Sequence, residues 1–155
     1  MRRKFLLWLS VGGSLAGAAT LAGWLVLRGG DAGRANPDDI VQVAYGHTIY
    51  LTRCASCHGI HLEGQPNWRE HLPNGRLPAP PHNAEGHTWH HPDRQLFQMV
   101  KYGLASLVPG YQTDMPIFKE ILSDDEIWAV LAYIESQWPP HIRQARKRIN
   151  RQAAD

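Results

Sequence analysis

Cys54-Ala55-Ser56-Cys57-His58 holds both cysteines of the chain and ends on an imidazole. Two thiols at this spacing stand about one helical turn apart, so they can add across the two vinyl groups of one porphyrin. The adjacent histidine then falls beneath the iron, and Cys-x-x-Cys-His is the attachment site for c-type haem. A thioredoxin-like dithiol would need a βαβ setting, which the surrounding residues do not suggest. A structural zinc site needs four ligands and usually a second cysteine pair, which the chain lacks, although histidines are plentiful. Attachment consumes both thiols and leaves none for a disulfide, in keeping with the count of two.

Outward from this stretch the chain divides by charge. It has 155 residues, 16 Lys and Arg, 14 Asp and Glu, and a net charge of +2. Near-neutrality argues against an electrostatic nucleic-acid binder. With 43% hydrophobic residues and six tryptophans, the composition is not that of a disordered chain. Residues 1–34 carry +4, residues 35–140 carry −6 and residues 141–155 carry +4. We read these as a membrane anchor with its linker, a haem domain and a basic tail.

Phe5 to Leu27 is a run of 23 residues without a charge. As a helix it reaches about 34 Å, enough for a hydrocarbon core of roughly 30 Å. Arg2, Arg3 and Lys4 precede it, and the positive-inside bias leaves the N-terminus in the cytoplasm and the rest on the outer, periplasmic side. Trp8 and Trp24 stand near its ends, where interfacial aromatics belong. A cleaved signal peptide is the rival, because Ala16-Gly17-Ala18 resembles a cleavage site. Arg2-Arg3-Lys4-Phe5-Leu6 is a fragment of a twin-arginine motif, and Gly13 and Gly17 have helix-dimer spacing; both are weak signals.

The middle segment contains all eleven prolines and reads as short helices joined by irregular loops. One helix starts near Pro37-Asp38-Asp39 and runs towards Arg53. Five prolines between Pro66 and Pro81 leave a wrapped loop. His91-Pro92-Asp93 opens a second helix, which Gly103 ends. Ser123-Asp124-Asp125-Glu126 is a capping box, and Ile127, Val130, Leu131 and Ile134 follow at helical spacing until Pro139-Pro140. No segment reads as a strand, so the expected class is all-α.

A low-spin haem needs a second axial ligand, typically a methionine in an electron carrier. Met1 is the initiator, and Met99 lies in the Leu96–Val100 apolar patch. That leaves Met115, in the irregular stretch Tyr111-Gln112-Thr113-Asp114-Met115-Pro116-Ile117-Phe118, able to fold over the face opposite His58.

Over about residues 38–138 the chain resembles the class I c-type cytochromes, and within them membrane-anchored bacterial mono-haem proteins. The resemblance rests on a Cys-x-x-Cys-His site after a first helix, a Met-Pro-x-Phe loop and an aromatic closing helix. It implies the cytochrome c fold around one covalently bound haem c. It further implies that Gly46 and Tyr50 cross Val130 and Tyr133, and that a proline carbonyl orients the ring of His58. Pro80 is the first candidate for that carbonyl and Pro78 the second.

His82, His87, His90 and His91 crowd one stretch with Glu85 and Asp93. They read as a polar loop near the haem edge, with Trp89 donating its N–H to a propionate and His91 capping a helix. Two alternatives are a copper-type metal site, or a distal iron ligand in place of Met115. His47, His61, His71 and His141 are scattered and read as solvated. The tail at 141–155 either meets anionic lipid or an acidic redox partner, or is a frayed terminus.

The expected function is one-electron transfer, without enzymatic activity of its own, by a carrier tethered to the outer face of the cytoplasmic membrane. His58 and Met115 are its expected axial ligands, and Cys54 and Cys57 its covalent links. Lipid holds residues 5–27, and the redox partners are membrane oxidases or dehydrogenases. The alternatives are peroxide or gas chemistry at a labile distal position, or copper handling by the cluster from His82 to His91.

Overall fold

The computed structural model describes residues 34–153. The expected anchor at residues 5–27 lies outside them. Among the described residues, no helix is long and apolar enough to cross a membrane.

Five α-helices and two short 3-10 turns make up the regular structure, with no strand among the described residues. Helix α1 spans Ile40–Arg53, and the Asp39 side chain caps it by accepting from the backbone N–H groups of Val41 and Gln42. A carboxylate there satisfies donors that no helical carbonyl can reach and meets the positive end of the dipole. Helix α2 is the single turn Ala55–His58. Helix α3, Asp93–Tyr102, follows Pro92 and stops at Gly103. Helix α4, Asp124–Ser136, begins with Ser123 and Glu126 in a reciprocal capping box, and Ile127 and every residue from Ala129 to Glu135 are buried.

The core is the crossing of α1 on α4. Gly46, Ile49 and Tyr50 form the buried face of α1. At Gly46 a Cβ atom would lie 1.8 Å from the Ala129 carbonyl oxygen, so only glycine permits this approach of the two backbones. Tyr50 and Tyr133 pack with ring centroids 5.3 Å apart just beyond it. Leu96 of α3 is buried in the same core, and Phe97 stacks on Trp128 of α4 at 4.5 Å.

Residues 141–155 require a correction. The expected basic tail is largely helix α5, Pro140–Gln152, which opens on proline and buries Ile142 and Arg146. The guanidinium of Arg146 is 1% exposed and donates to Asp93 at 2.5 Å. The Asn150 side chain accepts from the Asp93 backbone N–H at 2.8 Å, and Arg143 pairs with Asp38. Ile142 and Arg146 are four residues apart, hence on one helical face. A basic stretch with so few apolar positions hides that face until its acidic partners are located.

Candidate haem-attachment site

The backbone of α1 leads directly into the attachment motif. The Cys54 N–H still donates to the Tyr50 carbonyl at 2.9 Å, and the His58 N–H donates to the Cys54 carbonyl at 3.0 Å. The buried Tyr50 hydroxyl then reaches forward to the Gly59 carbonyl at 2.7 Å. The single turn of α2 is thereby fastened to the helix before it. Cys54 is half-buried and Cys57 exposed, and neither is in a disulfide. Burial, with Cys57 nearby, pushes the Cys54 thiol up to about 11.

His58 is buried, and its Nδ1–H donates to the Pro80 carbonyl at 2.9 Å. Pro80 rather than Pro78 therefore faces the ring. Burial lowers the imidazole's affinity for a proton, and the bond to Pro80 offsets this only partly. The result is a neutral ring whose Nε2 lone pair is left for a metal.

The carbonyl of Pro80 is held in place from two sides. A Cβ on Gly64 would lie 2.5 Å from the Pro81 nitrogen, and one on Gly86 would lie 2.0 Å from the Pro81 carbonyl oxygen. Gly64 also adopts φ +71°, a region that glycine alone enters freely. Gln65 adds a reciprocal pair with Ala79: its N–H donates to the Ala79 carbonyl at 2.9 Å, and its side-chain oxygen accepts from the Ala79 N–H at 2.8 Å.

Met115 is partly buried and packs against the hydrophobic core. Its segment is tied down on both sides. Asp114 pairs with Arg76 of the proline loop, and the Phe118 N–H donates to the Val100 carbonyl at 3.2 Å. Trp89 stacks on His90 at 3.6 Å, and its indole Nε1 is buried without a hydrogen-bond partner among the described residues. An indole N–H in that state calls for an acceptor that the protein itself does not supply.

The residues fit a covalently held haem. Two cysteines outside any disulfide lie one turn apart, a neutral imidazole is oriented through one nitrogen, and a buried indole N–H lacks an acceptor within the chain's described residues. The crowded histidines do not form the metal site considered above. Among the described residues no group of three or more histidine, cysteine or carboxylate side chains is gathered to hold an ion. His82 is hydrogen-bonded through Nδ1 to the Thr88 hydroxyl at 2.8 Å, and His91 through Nδ1 to the Gln95 side chain at 3.3 Å. His87 stacks on Trp68 at 5.7 Å, and His90 is taken up by Trp89. Across the 3-10 turn Thr88–His90 the rings of His87 and His91 meet edge to face, with centroids 5.3 Å apart, but no third donor joins them.

His82 has a place that its sequence position did not reveal. Its ring stacks on that of His58, with centroids 4.0 Å apart and planes 21° apart. It therefore belongs to the His58 side of the site, and a distal-ligand role does not suit it. Trp138, two residues beyond the end of α4, donates its indole N–H to the His82 carbonyl at 2.7 Å. The spacing Pro80-Pro81-His82, two residues beyond the proline that faces His58, was the available signal.

A protein-family model described as Cytochrome c matches residues 43–138. Neither the comparison with curated proteins nor that with solved structures returns a match. The matched region begins inside α1, contains the attachment motif and the Met115 loop, and ends at Trp138, the donor to His82. On the strength of that match and of the geometry around His58, the chain belongs to the cytochrome c family, as a class I member with covalently attached haem c.

Proposed function

We propose that the protein is a one-electron carrier with His58 and Met115 as axial ligands, tethered by residues 5–27 to the outer face of the cytoplasmic membrane. Haem-based electron transfer follows from the family. The observation that supports His58 as a ligand is the bond from its Nδ1 to the Pro80 carbonyl, which leaves Nε2 for iron. When bound, haem supplies a reversible Fe(III)/Fe(II) couple. The chain's own residues do the rest.

Cys54 and Cys57 fix the porphyrin at the end of α1, and His58 presents a neutral donor. Met115 offers a soft thioether, which favours the reduced state and raises the potential relative to a second histidine. Trp89, whose buried indole N–H has no partner among the described residues, would donate to a haem propionate. The bond from His58 to the Pro80 carbonyl is already made within the chain, so the orientation of that ligand has little to rearrange between oxidation states. The partners in this reading are membrane oxidases or dehydrogenases, reached by a carrier confined to two dimensions near them.

Oxidised and reduced spectra of salt-washed membranes test the reading. Low-spin haem in both states, retained by the membrane pellet, is the expected result. Met115→Ala should abolish the sulfur-to-iron charge-transfer absorption. A high-spin ferrous state, or carbon monoxide binding by the reduced native protein, would instead favour a labile distal position and gas or peroxide chemistry. Recovery of the haem in the soluble fraction would overturn the tether alone.

A further inference from the structure

The hydrogen bond to Pro80 fixes one point of the His58 ring, but one point does not fix a plane. The imidazole could still swing about the N–H···O line while the bond survives. The stacked contact with His82 limits that freedom, because a ring at 4.0 Å with its plane 21° away blocks the swing towards it.

For this to work His82 must itself be immobile, and it is bound at three points. Its N–H donates to the Leu62 carbonyl at 2.8 Å, its carbonyl accepts from Trp138 Nε1 at 2.7 Å, and its Nδ1 is hydrogen-bonded to the buried Thr88 hydroxyl at 2.8 Å. Trp138 is 4% exposed and lies under the Arg146 guanidinium, 5.4 Å from its ring centroid. A continuous line of contacts thus runs from helix α5 through Trp138 and His82 to the ring of His58.

We propose that His82, held by Trp138, is the positioning residue that sets the plane of the His58 imidazole at the iron. This rests on the assignment of His58 as an axial ligand. The orientation of an axial imidazole governs how the unpaired electron of ferric haem is distributed, so the role has a spectroscopic signature separate from electron-transfer activity.

The test uses haem-loaded, full-length protein in its ferric state. The readouts are electron paramagnetic resonance and the spread of the four haem methyl proton shifts. His82→Ala should change the rhombicity of the g tensor and redistribute the methyl shifts. His82→Phe, which restores a flat face, should return both towards the native pattern. Trp138→Phe deletes the donor while keeping a ring, and should shift both readouts in the direction of His82→Ala by a smaller amount.

Native g values and methyl shifts in His82→Ala would overturn the proposal. So would conversion of that variant to high spin, which would make His82 a ligand. If His82→Ala does not take up haem, Trp138→Phe decides alone, and an unchanged pattern there overturns the proposal. The spectrum of the unsubstituted protein separately tests the ligation on which the inference rests, since a failure of that reading appears before any substitution is made.

Discussion

At the scale of single residues, the attachment motif works because a few backbone positions around it admit no side chain. Gly64 has a positive φ of 71° and approaches the Pro80–Pro81 peptide, where an added methyl would sit 2.5 Å from the Pro81 nitrogen. Gly64→Ala should therefore displace the Pro80 carbonyl from His58 and cost about 1–3 kcal/mol. Urea unfolding measures the cost, and the ferric spectrum reports the displaced carbonyl. A native midpoint and spectrum would show that the Pro80 carbonyl does not depend on this approach. None of this was legible from Gly64 itself, because a glycine in a proline-rich loop has many possible reasons. His58, by contrast, was legible as a ligand candidate, since its chemistry depends on neighbours only one to four residues away.

At the scale of helices, the capping signals and apolar spacing identified α1, α3 and α4 within a few residues. Asp39 and Ser123 cap where local chemistry demands it, and a cap needs only residues two or three positions on. The crossing of α1 on α4 came from family resemblance, and the structure supplies its physical reason in the contact of Gly46 with Ala129. Gly46→Ala should force the two backbones apart and cost about 3 kcal/mol, at the upper end of overpacking penalties. Thermal unfolding of the haem-loaded protein checks this. Helix α5 was missed as structure because its docking depends on distant acids, Asp38 and Asp93. Arg146→Ala should leave Asp93 without its buried partner and destabilise by about 3 kcal/mol. Early tryptic cleavage between residues 140 and 152 should accompany that loss, and native resistance there would contradict it.

At the scale of the whole molecule, the acidic domain and basic C-terminal segment are not separate bodies of charge. They interlock through Arg143 with Asp38 and Arg146 with Asp93, and beside the second pair Glu135 of α4 is buried at 4% exposure. Burial first, and Asp93 second, push its carboxyl from 4.5 up to about 7, against the opposing pull of Arg146, Arg143 and Lys147. An acid whose folded value is raised binds its proton more tightly in the folded state. Its contribution is therefore fully present below pH 4.5 and is lost as pH rises towards and through about 7. Glu135→Gln removes this dependence. The stability difference between variant and native protein should open across that interval and level off at about 3 kcal/mol in the variant's favour. Paired urea titrations at several pH values read it directly, and parallel curves would refute it.

Local chemistry in the sequence was sufficient for the haem-attachment motif, the principal helices and their caps, and the all-α class, because each is specified within one or two turns of chain. Tertiary structure alone decided which proline carbonyl meets His58, that the clustered histidines do not gather as a group of three or more ligands, and that the basic segment docks as a helix. It also decided that His82 lies flat against His58 while Trp138 holds its backbone from 56 residues away. A hydrogen bond or a ring stack has a range of a few ångströms. Which residues enter that range is set by the fold that brings distant parts of the chain together.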